Sequence, residues 1–140
     1  MKAVRLHAFN ELPKVEDVPE PEVTGPFDVI VRIGGAGLCR TDVHFIHMDL
    51  GDRSHLLPMT LGHEHAGWVL QVGSAVTNVA PGDAVICHPV IPCGLCRPCR
   101  DGDDVHCPNR RSTGLDHDGG FAELLKTYAR SVIKLPDGVE

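Results

Sequence analysis

Six cysteines and nine histidines occur in a chain of only 140 residues, and most of the cysteines are clustered. Four of them, Cys93, Cys96, Cys99 and Cys107, follow the spacing Cys-x2-Cys-x2-Cys-x7-Cys. A Cys-x2-Cys step on a tight turn points two thiolates at one ion, and four thiolates complete a closed tetrahedral zinc site. Such a site leaves no coordination position for water. The spacing therefore predicts a structural zinc, held in a lobe of about residues 89–111.

Two other uses of these four cysteines are open to the same residues. Ferredoxin-type iron–sulfur sites share the first two steps and the Pro after the last Cys, as in Cys107-Pro108. In that pattern three residues separate the third and fourth Cys, whereas seven separate Cys99 from Cys107. A disulfide framework is the second alternative, but clustered cysteines in a reducing cytosol are more often metal ligands. We expect zinc.

Cys39 and His63 form a second group of candidate ligands, on separate segments and each close to a carboxylate. A thiolate and an imidazole suit an open metal site, in which Asp42 would hold the other ring N–H of His63. A catalytic zinc needs three protein ligands and one free position. Taken singly, a cysteine after a strand is more often a small buried hydrophobe, and a lone histidine is more often a satisfied surface or core group.

The elements that must position these residues are short. Alternating and β-branched segments predict strands, and Pro and Gly mark the turns between them. Residues 34–37, which are nearly all glycine, predict a turn. The segment after it predicts a helix over residues 41–48, with Thr41 as N-cap and with Val43 and Ile46 on one face. The predicted strands are residues 1–6, 15–18, 27–33, 67–72, 84–87, 121–128 and 132–135.

Composition points to the same fold class and excludes some functions. Gly (15) and Pro (11) are abundant and aromatic residues make up only 4%, which favours a mainly β fold, barrel-like or sandwich-like, over a helix bundle. A net charge of −6 disfavours nucleic acid or an anionic membrane as a partner. No apolar run is long enough to span a membrane and the start lacks a signal-peptide core, so we expect a cytoplasmic protein.

The order of the motifs carries a family resemblance over the whole chain. Gly-Leu-Cys-Arg-Thr-Asp at residues 37–42 precedes Gly-His-Glu-x2-Gly-x5-Gly-x2-Val at residues 62–76, and Gly-Asp-Ala-Val at residues 82–85 precedes the four-cysteine segment. This series resembles the zinc-containing medium-chain alcohol dehydrogenases. The resemblance implies a GroES-like, partly open β-barrel with a catalytic zinc on Cys39 and His63 and a structural zinc on the four cysteines.

The resemblance also implies roles for the residues around the first zinc. Thr41 matches a hydroxyl that takes the substrate proton, and His44 matches a histidine that passes this proton to solvent. Glu64 matches an acidic residue that enters the zinc coordination sphere transiently, and Arg40 matches a contact to the cofactor pyrophosphate. The implied reaction moves a hydride between a small alcohol or carbonyl substrate and NAD or NADP.

Two parts of the family pattern are absent from the 140 residues. The third catalytic-zinc ligand should lie beyond residue 140 unless Glu64 substitutes, and no βαβ unit with Gly-x-Gly-x-x-Gly occurs. We therefore expect residues 1–140 to be the catalytic domain alone, inactive without its nucleotide-binding domain and, in the full-length protein, part of a homo-oligomer. The alternative is a non-catalytic, zinc-stabilised GroES-like binding module in which Cys39 and His63 are vestigial.

The remaining candidates are expected to be bystanders. Cys87 is predicted to be an inert core thiol, and Phe45 and Trp68 are predicted to lie in the core. Six histidines are expected to be solvated or locally bonded, with His65 as the most plausible exception because it is close to the open site: His47, His55, His65, His88, His106 and His117.

Overall fold

The computed structural model describes residues 1–47 and 54–139. The chain is mainly β, as predicted, with two short helices and three single 3-10 turns at Ser54–Leu56, Asp104–His106 and Ala129–Ser131. The elements in chain order are β1 (Lys2–Leu6), β2 (Lys14–Asp17), β3 (Asp28–Gly37), α1 (Arg40–His47), β4 (Met59–Thr60), β5 (Glu64–Val72), β6 (Ala84–Cys87), β7 (Val90–Ile91), α2 (Arg97–Arg100), β8 (Arg111–Ser112), β9 (Leu124–Tyr128) and β10 (Val132–Lys134).

The main sheet has five antiparallel strands in the order β10-β6-β5-β3-β9 and curls into a half-barrel. Two smaller sheets, β2-β1-β4 and β7-β8, flank it. The β-branched residues of the strands form one core on the inner face, and a second core packs around Phe45 of α1 with Leu6, Met59 and Leu61. No helix among the described residues is long and apolar enough to cross a membrane.

The prediction of a turn at residues 34–37 is wrong, because β3 continues to Gly37. Gly34 is an extra residue in the pairing: Ile33 pairs with Gly67 and Gly35 with Ala66. A β-bulge of this kind lets a strand continue with one residue unpaired. The close approach of the two strands requires glycine at position 67, since a Cβ on Gly67 would lie 2.0 Å from the Arg32 carbonyl oxygen.

The predicted helix is present but begins one residue earlier, at Arg40, so Thr41 is not its N-cap. The side chain of Asp42 instead reaches back, and its Oδ2 accepts a hydrogen bond from the Cys39 backbone N–H at 2.9 Å. The buried residues of α1 are Asp42 and Phe45, whereas Val43, predicted to share a face with Ile46, is exposed. Residue 48, the predicted helix end, lies outside the described residues.

Other predicted boundaries were wrong in detail. The strand predicted from residue 121 begins at Leu124, and the two-residue strands β4, β7 and β8 were missed because two residues carry no periodicity. Phe45 lies in a core as predicted. Trp68 does not: it is half-buried, its ring lies over Gly34, and the Arg32 guanidinium stacks 4.9 Å from the ring centroid.

Candidate metal centres and catalytic site

The four cysteines of the lobe converge on one point. Each offers its Sγ, and the four Sγ atoms all lie within 4.8 Å of one another. Four ligands at Zn–S distances near 2.3 Å have sulfur atoms ~3.8 Å apart, so the cluster has the size of a tetrahedral zinc site. Cys99 and Cys107 are buried, whereas Cys93 and Cys96 are half-buried. The chemistry and spacing of this donor set fit zinc.

The lobe is built by local structure. β7 and β8 pair at its base, through Val90 with Ser112 and Ile91 with Arg111. Between them, Cys96 immediately precedes the single turn α2, and its carbonyl accepts the Arg100 N–H. The ligands therefore come from one continuous segment whose ends are closed by a two-residue ladder.

The pKa values of Cys93 and Cys99 are shifted in opposite directions. The backbone N–H groups of Leu95 and Cys96 lower the pKa of Cys93 to about 6, whereas burial raises the pKa of Cys99 to about 12. A divalent cation favours the thiolate form of every ligand, so metal binding couples to proton release. A cation bound here would bring all four cysteines to the thiolate form.

The second cluster brings together Cys39, His63 and Glu64, with one ligand atom of each within 4.8 Å of the others. Its residues come from two chain segments that the sheet joins. Gly37 at the end of β3 pairs with Glu64 at the start of β5. Cys39, which follows β3, therefore lies beside His63, which precedes β5. The register fixed by the Gly34 bulge therefore decides that Cys39 meets His63.

Asp42 ties the two segments of this cluster together. Its side chain is fully buried; Oδ2 accepts the Cys39 N–H and Oδ1 accepts the Gly62 N–H at 3.2 Å. Oδ1 also lies 3.3 Å from His63 Nδ1, in ion-pair range but not in the direction of a hydrogen bond. With Nδ1 facing the carboxylate, Nε2 is the nitrogen left for a metal. The sequence predicts this pairing of Asp42 with His63.

Glu64 reaches the cluster across the backbone of Gly37. A Cβ on Gly37 would lie 2.7 Å from Glu64 Oε2, so any larger residue would displace the carboxylate. The sequence assigned this glycine only to a turn. The need for glycine at position 37 follows from the register of β3 and β5, which places Gly37 opposite Glu64.

The three remaining predicted residues lie at the start of α1, on its exposed side. Thr41 Oγ1 is 3.6 Å from Cys39 Sγ. Arg40 Nε lies 3.2 Å from His44 Nε2, so Arg40 donates and His44 accepts. Within the described residues, no hydrogen bond joins Thr41 to His44. The structure places Thr41 beside the cluster and pairs His44 with Arg40.

A supporting loop was missed at the sequence level. The N–H groups of Gly119 and Gly120 donate to the carbonyls of Thr60 and Gly62, and a Cβ on Gly119 would lie 2.1 Å from the Gly62 oxygen. This contact holds the chain immediately before His63. The Gly119-Gly120 pair in the sequence was the available signal.

A cavity of about 750 Å³ opens beside the second cluster. His63 and Glu64 lie at its metal-binding end, His88 and Pro89 at its edge, and small or aliphatic residues such as Ile86 form most of the rest. A mostly apolar space with a few polar groups at one end is typical of a small-molecule site.

The predicted bystanders lie outside both clusters. His65 is buried, and its pKa is lowered to about 4, mainly by this burial and to a smaller extent by the charge of nearby His63. Neither ring nitrogen has a hydrogen-bond partner among the described residues. His106 pairs with Asp103 at 2.8 Å. Burial raises the pKa of Cys87 to about 12, in agreement with an inert core thiol.

Comparison with known proteins agrees with the sequence resemblance. The family model of the alcohol dehydrogenase GroES-like domain matches residues 25–137. The chain belongs to this family. The GroES-like half-barrel predicted from the resemblance is thereby confirmed.

Individual relatives are dehydrogenases that extend well beyond the matched region. L-threonine 3-dehydrogenase of Rhizobium etli is 38% identical over 126 residues, which are 89% of this chain and 36% of that protein. The alcohol dehydrogenase of Aeropyrum pernix superposes with a TM-score of 0.91 at 47% identity, covering 100% of this chain and 41% of that one. A Sinorhizobium meliloti dehydrogenase solved with NADP gives 0.80 at 36% identity, over 99% and 39% of the two chains. The chain thus spans less than half the length of the relatives it matches.

Proposed function

We propose that residues 1–140 are the metal-binding catalytic domain of a zinc-dependent dehydrogenase, which oxidises an alcohol to an aldehyde or ketone with NAD or NADP, or runs the reverse reaction. The observation that carries the proposal is the convergence of Cys39, His63 and Glu64, of which His63 and Glu64 line the open cavity. The dehydrogenase names of the relatives support the reaction class.

The proposed ligands of the catalytic zinc are Cys39 and His63, with Glu64 beside them as an exchangeable ligand. A bound zinc supplies Lewis-acid polarisation of the substrate oxygen, which lowers the pKa of an alcohol. Asp42 holds the His63 ring through Nδ1 and braces the Cys39 backbone, so both ligands keep their direction. The donor set of a thiolate, an imidazole and a carboxylate fits zinc.

The proposed proton path begins at Thr41, whose Oγ1 lies at the edge of the cluster. It would receive the substrate hydroxyl proton, and His44 would release the proton to water from the exposed side of α1. His44 Nε2 accepts from Arg40 in this structure, and this nitrogen would become available to a proton once Arg40 turns to another acceptor. The cofactor pyrophosphate is the acceptor that we propose for Arg40.

The partners follow from the same assignment. A small alcohol or carbonyl compound would occupy the cavity, and a nucleotide-binding domain of the same protein would supply NAD or NADP. We also propose that a second zinc occupies the four-cysteine lobe, that the whole protein is cytoplasmic and a homo-oligomer, and that residues 1–140 alone transfer hydride poorly or not at all.

Metal stoichiometry tests the proposal directly. By elemental analysis we expect two zinc ions per wild-type chain and one in Cys39→Ala. The control Cys87→Ala should keep both zinc ions, because Cys87 belongs to neither cluster. One zinc in the wild type that persists in Cys39→Ala would instead support the non-catalytic GroES-like module.

Activity gives the second test. The isolated 140 residues, loaded with zinc, are mixed with NAD or NADP and a panel of primary and secondary alcohols, and reduced cofactor is followed at its absorption band. No turnover above the Cys39→Ala background is expected. Robust oxidation of an alcohol by these residues alone would refute the need for a nucleotide-binding domain.

A further inference from the structure

Arg130 lies outside the lobe but reaches into it. It occupies the 3-10 turn Ala129–Ser131, which connects β9 and β10, the two edge strands of the main sheet. Its Nε donates to both carboxylate oxygens of Asp104, at 3.0 and 2.8 Å, and its Nη2 donates to the carbonyl of Cys99. One guanidinium thus contacts two positions of the segment that carries the four cysteines.

The contacts of Arg130 bracket the buried half of the ligand set. Cys99 is itself one of the four cysteines, and Asp104 begins the 3-10 turn that leads into Cys107. These two cysteines are the buried pair of the cluster. Holding the Cys99 carbonyl and the Asp104 carboxylate together therefore fixes the chain on both sides of the proposed metal.

The same turn also holds the base of the lobe. Ser131 Oγ donates to the Val90 carbonyl at 2.8 Å, and the Ser131 carbonyl accepts the His88 N–H at 2.7 Å. Ala129 and Ser131 are buried, which anchors the turn in the sheet. The backbone of Arg130 is therefore held in place by its buried, hydrogen-bonded neighbours. The position of its guanidinium fork depends on this turn and not on the lobe.

Charge adds to geometry. Four thiolates around Zn²⁺ would carry a net charge of −2, and the guanidinium of Arg130 is positively charged at all pH values that a folded protein tolerates. The Arg130 side chain is 39% exposed and water screens part of this attraction. The directed hydrogen bonds should therefore count for more than the charge alone.

We propose that Arg130 is a positioning residue of the four-cysteine metal centre, which slows metal loss by clamping Cys99 and Asp104 and by partly neutralising the thiolates. The inference rests on the proposed zinc in the lobe. It predicts that removing the fork weakens metal retention without removing any ligand. Outer-shell partners of this kind are worth on the order of 10–100-fold in metal affinity.

The test compares metal release from the zinc-loaded chain into an excess of a chromogenic chelator. We expect Arg130→Gln to lose the lobe zinc at least about 10-fold faster than the wild type. Arg130→Lys keeps the charge but cannot bond both partners, so its rate should lie between the two. Arg97→Gln is the matched control, because Arg97 is on the same lobe, is 93% exposed and, among the residues that the structure describes, forms an ion pair with Asp101 alone, at 3.6 Å; its rate should match the wild type.

Cobalt substitution separates this role from a general loss of folding. The thiolate-to-cobalt absorption band reports the four-cysteine site, while far-UV circular dichroism reports the sheet. If Arg130→Gln folds and releases metal at the wild-type rate, or if Arg97→Gln accelerates release equally, the proposal is wrong. If Arg130→Gln does not fold, Asp104→Asn replaces it, with several-fold faster release expected and an unchanged rate counting against the clamp. A wild-type chain with no four-thiolate band would refute the lobe zinc itself, not Arg130.

Discussion

The two metal-binding clusters of this domain are assembled in opposite ways. The four cysteines of the lobe lie within 15 residues of sequence, on a segment with one helical turn and little apolar packing of its own. Cys39 and His63 are 24 residues apart and meet because β3 and β5 pair in one register. The lobe has ligands without a core to hold them, and the open cluster has a core that holds its ligands.

This difference separates cause from consequence at each site. In the lobe, the proposed metal is what makes the fold stable, because a polar segment gains its folding energy from ligand binding. At the open cluster, the fold exists first and presents a thiolate, an imidazole and a carboxylate to the cavity. Ligand loss should therefore damage the structure at the first site and only the chemistry at the second.

The largest expected effect comes from removing one ligand from each cluster. Structural zinc sites contribute roughly 10–16 kcal/mol of apparent binding energy, so Cys96→Ala should lose a zinc and most of the cooperative unfolding transition. Cys39→Ala should lose the other zinc and unfold within a few degrees of the wild type. Differential scanning calorimetry with metal analysis measures both. Equal destabilisation by the two variants would contradict the proposed division.

A substitution in the sheet should damage the open cluster more than the lobe. A Cβ on Gly67 meets backbone atoms at 2.0 and 2.9 Å, so Gly67→Ala must push β3 away from β5. We expect about 3 kcal/mol lower free energy of unfolding in urea, together with weaker metal binding at the open cluster than in the lobe. Gly35→Ala is the control: no heavy atom lies within 4 Å of its Cβ position, and its effect should stay within about 0.5 kcal/mol. Similar losses for the two variants would argue against the close approach.

The carboxylate that braces the open cluster should affect metal affinity alone. Asp42→Asn weakens the acceptor of the Cys39 N–H and of His63, so cobalt or zinc affinity at this cluster should fall about 10–100-fold while the lobe keeps its metal. Competition titration with a chelator checks this. Asp101→Asn, on an exposed residue of the lobe, should leave both affinities unchanged. Unchanged affinity in Asp42→Asn would mean that Cys39 and His63 are held without it.

The smallest effect is expected on the lobe surface. Arg97 and Asp101 form an exposed pair at 3.6 Å, and such pairs contribute about 0.3–0.5 kcal/mol on helices. Arg97→Ala should therefore lower the free energy of unfolding by no more than this, and 0.5 M NaCl should remove the difference. A loss of several kcal/mol would show that the lobe depends on surface charge as well as on its ligands.

The sequence determined what is local. The four cysteines of the lobe could be grouped from spacing alone, because all four ligands lie on one short segment. The β-branched strands around Val29 and Val85 were also predictable from residue type, although burial alternates only along β6, whereas Val29, Ile30 and Val31 of β3 are all buried. Even Asp42 was correctly placed near His63, because a carboxylate beside a candidate metal-binding histidine is a common outer-shell arrangement.

Tertiary structure decided what depends on register and on backbone approach. Gly34 and Gly37 read as a turn in sequence, yet one is a bulge and the other is the surface over which Glu64 reaches its cluster. The sequence contains no motif that identifies Arg130 as part of the lobe, because its contact with Asp104, 26 residues earlier, arises only from the tertiary fold. Residue types and spacing specify ligands, but only the pairing of distant strands specifies which ligands meet and which side chains hold them.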